Sequence, residues 1–106
     1  MVKLIVLFRQ IEEPPAEYDQ GYNQFLILLD HLPGMRRKAV NTVYAGPGGP
    51  APFGAVIEIL FDSPTALQAA LTSPAGIEAG LYLLEFAGEN AVTLFADTLE
   101  ENTPTA

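Results

Sequence analysis

The sequence predicts an α+β fold, a four-stranded antiparallel sheet with its helices on one face. Three observations carry this. Strand-length apolar runs lie near both ends and as a pair in the middle, around Val2–Arg9, 35–45, Phe53–Phe61 and 91–99. Two stretches of helical period separate them, giving the order β-α-β-β-α-β. With 49% hydrophobic and 17% charged residues among 106, the chain can fill a packed core and is not intrinsically disordered.

Met1-Val2-Lys3 leads into Leu4-Ile5-Val6-Leu7-Phe8 and Arg9, which reads as a buried first strand. Five apolar residues are too few for a signal-peptide core, so a cytoplasmic protein is expected. Glu12-Glu13-Pro14-Pro15 breaks the strand and suits a helix start. From Pro15 to Leu32 the period is helical, with Tyr18, Tyr22, Phe25, Leu29 and Leu32 on one stripe and His31 in the last turn. Pro33-Gly34 ends this helix, and a second strand runs from about Met35 to Ala45. The segment Gly46-Pro47-Gly48-Gly49-Pro50-Ala51-Pro52 can be neither helix nor ladder and reads as a hairpin loop.

The third strand, Phe53 to Phe61, places Phe53, Ala55, Ile57, Ile59 and Phe61 on one face. Ser63-Pro64 is a helix start, an N-cap followed by proline at the first helical position. Ser73-Pro74 repeats it, so the second helix is expected to break there and resume to about Phe86. Gly88-Glu89-Asn90 turns into a last strand, Ala91 to about Leu99. The expected domain covers residues 1–101, with a polar tail over 102–106.

This order is the ferredoxin-like arrangement of two split βαβ halves. A sheet with one wet face should alternate apolar and polar residues, and these strands do not. Opposite Phe53 the third strand carries Gly54, Val56, Glu58 and Leu60; the last strand sets Val92, Leu94 and Ala96 against Ala91, Thr93 and Phe95. The helices cover one side only, and a patch this apolar calls for a second copy on the other. The expectation is a homodimer whose two sheets face each other as an eight-stranded barrel.

Thirteen acids against five bases leave a net charge of −8, which repels phosphate backbones, so no nucleic-acid partner is expected. No apolar run reaches the ~18 residues of a membrane span, so no membrane partner is expected. Zero cysteines and a single histidine leave no thiolate site and no His-rich centre, so neither a metal nor another cofactor is called for.

The segments Val2-Lys3-Leu4-Ile5-Val6-Leu7-Phe8-Arg9, Leu32-Pro33-Gly34-Met35-Arg36-Arg37 and Phe61 through Gly76 resemble the EthD family. The resemblance extends to about Glu101, and Asp62 to Gly76 is its most distinctive part. It implies the dimeric α+β barrel superfamily, whose members include polyketide cyclases, lactone isomerases, small monooxygenases and haem-binding proteins. One departure stands out. Family members usually carry His-x-Pro in the first helix, and counting back from Pro33-Gly34 those two positions hold Phe25 and Ile27. His31 lies about two turns later, so His-dependent family chemistry is not expected here.

Glu58 is the candidate catalytic residue. It lies mid-strand on the face assigned to the barrel lumen, where desolvation would raise a carboxyl pKa into the range of acid/base work. The bland alternative is an ion pair with Arg9, Arg36 or Lys38, or simple exposure at the dimer rim. Tyr22, Phe25, Tyr44 and Phe95 are the candidate pocket lining, although Tyr18 and Tyr22 lie on the packing stripe, which favours core packing with their hydroxyls reaching its edge. Asp97 and Thr93 share a face with Phe95. The run Phe25-Leu26-Ile27-Leu28-Leu29 is apolar on every side of its helix, so Ile27 and Leu28 either lie deep or meet another chain.

Two functions fit. In the first, the protein binds or transforms a small apolar molecule, aromatic or polyketide-like, with Glu58 as acid/base. In the second it is a catalytically silent scaffold, natural or engineered, whose pocket is filled by Phe25 and whose first helix drives higher assembly.

Overall fold

A computed structural model describes residues 1–99; the expected domain end at 101 and the polar tail at 102–106 lie outside them. The strands β1 (Val2–Arg9), β2 (Arg37–Thr42), β3 (Phe53–Phe61) and β4 (Ala91–Asp97) form one antiparallel sheet in the order β2-β3-β1-β4. Helices α1 (Ala16–Leu29), α2 (Pro64–Thr72) and α3 (Pro74–Phe86) lie on one face, and a short 3-10 turn (Gly88–Asn90) precedes β4. This is the ferredoxin-like α+β fold.

The predicted breaks are real, for the predicted reasons. The Ser63 Oγ accepts a hydrogen bond from the Ala66 N–H at 3.1 Å and opens α2. Ser73 serves both helices. Its Oγ donates to the Ala70 carbonyl at 2.6 Å at the end of α2 and accepts from the Gly76 N–H at 3.1 Å at the start of α3. Three elements are shorter than expected, among them β4, which ends at Asp97 and not at Leu99. Helix α1 ends at Leu29 with Asp30 as C-cap, so His31 falls in the following turn, its N–H still bonded to the Leu28 carbonyl. Strand β2 spans only Arg37–Thr42, because it is paired on one edge alone.

The sheet's two faces separate by period two. Val2, Leu4, Val6 and Phe8 of β1 join Ala55, Ile57, Ile59 and Phe61 of β3 in the core, under Phe25, Leu29, Leu67, Ala70 and Ala79 from the helices. Gly21 has a packing reason. A Cβ there would sit 2.9 Å from the Phe86 ring, so its absence lets α1 and α3 close around that aromatic. The opposite sheet face has no cover from the described residues. It presents Ile5, Leu7, Val56, Val92 and Leu94, flanked by Lys3, Arg37, Asn41 and Glu58, with Leu60 already buried.

On the helical side, Ile27 is 53% exposed whereas Leu26 and Leu28 pack against the core. The larger outward apolar stripe belongs to α3, where Ile77, Leu81 and Leu84 are 53%, 64% and 69% exposed.

Candidate functional site

Glu58 sits mid-strand on the open sheet face, as its register requires, but its partner is not one of the three expected cations. Lys3 Nζ reaches Glu58 Oε1 at 3.3 Å, and Asn41 Nδ2 donates to Oε2 at 3.2 Å and to the Val56 carbonyl at 2.9 Å. Both carboxylate oxygens are engaged. The other candidates are spoken for: Arg36 makes a two-pronged pair with Asp62 at 2.9 and 2.6 Å, and Lys38 pairs with Asp30. Arg9 bonds the Glu89 carbonyl at 3.3 Å and lies 5.7 Å over the Phe53 ring. The Arg36 guanidinium holds the Asp62 carboxyl below its usual value, chiefly through their hydrogen bonds.

The predicted pocket residues do not meet in the protomer. Glu58 borders a hollow of about 170 Å³ on the open face. Phe25, 2% exposed, is core, beside a residual space of about 90 Å³. Phe95 borders a hollow of about 230 Å³ at the α2 edge of the sheet. Tyr44 is 98% exposed by the hairpin loop, against a recess of about 410 Å³. Tyr22 alone lines the cleft between α1 and the sheet. The single chamber expected from the sequence is thus five separate hollows, because a sheet interposes Glu58 from the rings and Phe25 fills the space between helix and sheet.

The cleft beside Tyr22 has a volume of about 350 Å³ and is built where β1 runs out toward α1. Its inner wall is aromatic. The Phe8 and Tyr22 rings meet edge to face with centroids 5.2 Å apart, and Tyr18 packs on Phe86 at 5.8 Å. Gly54 makes room at the mouth, since a Cβ there would lie 2.8 Å from Gln10 Oε1. Asp19, Thr42 and Val43 complete the rim.

Tyr18 departs from its expected place. Its hydroxyl does not reach the edge; it is buried and has no hydrogen-bond partner among the described residues. Burial, with Tyr22 and Asp19 nearby, raises its pKa, and burial raises that of Tyr22. Both are therefore neutral phenols at physiological pH. Sequence reasoning missed Tyr18, Gln10, Gly54 and Lys3. The single signal available was Tyr18 and Tyr22 one helical turn apart. Among the described residues no cluster of three or more metal-binding side chains occurs, and no helix is long and apolar enough to cross a membrane.

No family model matches the chain, and no curated protein does. Solved structures do match. An EthD family protein from Bacillus halodurans superposes with a TM-score of 0.86 and 28% identity, covering 93% of this chain and 99% of that one. A dimeric ferredoxin-like protein of unknown function from Jannaschia sp. superposes with a TM-score of 0.73 at 14% identity, covering 92% and 98%. A hydroxynitrile lyase from Passiflora edulis does so at 0.72 and 24%, covering 97% and 96%. The last two share the fold alone. Over almost the whole of both chains, this chain has the fold of the Bacillus EthD family protein and more than a quarter of its residues, so it is similar to that protein in both fold and sequence.

Proposed function

We propose that the protein is a homodimer, paired through the open sheet faces, that binds a small apolar aromatic molecule in the cleft between α1 and the sheet. The cleft is the observation that carries this reading. It is concave, floored by aromatic rings and rimmed by a few polar groups, which is the make-up of a small-ligand site, and its volume lies at the lower end of such sites. Dimerisation is supported by the apolar residues crowding the uncovered face and by the dimeric state of the Jannaschia structure. The Lys3–Glu58–Asn41 cluster would then lie in the interface. An acid/base role for Glu58 requires a reactant on that face, within reach of a carboxylate whose oxygens already hold two donors.

The test is fluorescence titration with a naphthalene probe, beside sedimentation at micromolar concentration. We expect saturable binding that Thr42→Trp, filling the rim, abolishes, and a dimer that Leu7→Glu splits without loss of helical signal. A well-folded wild-type monomer, or binding unaffected by the tryptophan, refutes the corresponding half of the proposal.

A second reading is favoured by Phe25, which is 2% exposed where the family usually carries histidine. A filled space there fits a catalytically silent scaffold. That reading expects no probe binding in the wild type and a new site in Phe25→Ala.

A further inference from the structure

A buried hydroxyl without a partner is uncommon in a folded chain and calls for an explanation. Tyr18 is such a group, and it stands in the wall of the cleft. Nothing in the core needs its oxygen. The ring packs on Phe86 through carbon, as a phenylalanine would. The unpaired oxygen therefore weakens the ligand-free protein, and any acceptor seated in the cleft would relieve it.

We propose that the Tyr18 hydroxyl is the orienting hydrogen-bond donor of this cleft, and that its ligand is a neutral one- or two-ring aromatic molecule carrying a carbonyl acceptor. The inference rests on the cleft being the binding site. The Tyr18 side chain lines the cleft while its hydroxyl is closed off, so donation requires the ring to turn toward a molecule seated against Tyr22. Neutrality follows from the surroundings. The Asp19 carboxylate beside Tyr18 disfavours an anion. Arg9, the cation at the cleft, is already turned to the Glu89 carbonyl and the Phe53 ring. The Gln10 carboxamide at the mouth can accept from or donate to a second polar substituent. A volume of about 350 Å³ admits one or two fused rings and no more.

The experiment pairs two probes of nearly equal shape, 2-acetylnaphthalene and 2-ethylnaphthalene, titrated into the full chain and into Tyr18→Phe. We expect the wild type to prefer the ketone roughly 3- to 10-fold, the range of one net hydrogen bond, and Tyr18→Phe to erase that preference while leaving the hydrocarbon's affinity unchanged. The ligand-free variant should melt no lower than the wild type, since it loses only an unpaired oxygen. If both probes bind and the preference is absent or survives Tyr18→Phe, the role of Tyr18 is wrong while the cleft stands as a site. If neither probe binds, or Thr42→Trp changes nothing, the cleft itself is wrong and the inference falls with it.

Discussion

Two glycines of α3 test the packing with opposite signs. Helix propensity alone says that Gly→Ala stabilises either position by up to about 1 kcal/mol. The structure separates them. At Gly80 a Cβ meets nothing within 4 Å, so Gly80→Ala should give that gain. At Gly76 a Cβ would stand 2.1 Å from the Ala70 carbonyl oxygen and 2.7 Å from Leu71 Cα. Those contacts are backbone, which cannot swing aside, and relief requires α3 to slide from α2 by an ångström or more. Such overpacking costs about 1–3 kcal/mol, and it also strains the double cap at Ser73. We therefore expect Gly76→Ala to lower stability by about 2 kcal/mol net, and Tm by roughly 8 °C at about 4 °C per kcal/mol. Urea denaturation followed by circular dichroism measures both variants. Equal stabilisation by the two alanines would refute the close approach of α2 and α3.

Ser73→Ala should destabilise by about 1–2 kcal/mol and Ser63→Ala by about 1 kcal/mol, because Ser73 holds two helix ends and Ser63 one; chemical denaturation ranks them. Phe25→Ala should cost about 3–5 kcal/mol, since the ring is fully buried against Phe8 and Phe86, and differential scanning calorimetry should show it. Asp62 sets a pH dependence. Its folded pKa is depressed, so the Arg36 pair contributes stability above the ordinary carboxylate pKa and loses it as pH falls through the lowered value. Asp62→Asn should flatten that acid limb, the difference shrinking in high salt because the pair is exposed; an unchanged limb in thermal melts from pH 7 to pH 2 would remove it.

Much of the fold was written locally. The caps at Ser63 and Ser73, the prolines after them and the Gly-Pro hairpin act within a few residues, so they can be read without knowing what packs where. Period two likewise assigned Glu58 to the open face and Ile57 to the core. The site was decided elsewhere. Lys3 takes Glu58 across 55 residues because the β1–β3 register sets Ile5, not Lys3, directly opposite Glu58, leaving Lys3 as the diagonal neighbour on the same face. Phe25, Tyr44 and Phe95 share a chemistry but no cavity, since Phe25 is packed into the core, Phe95 stands at the α2 edge of the sheet and Tyr44 by the hairpin loop. The Tyr18 hydroxyl looks in sequence like a tyrosine at a core edge. Its isolation comes from what closes over it, and no property of the local chain encodes that.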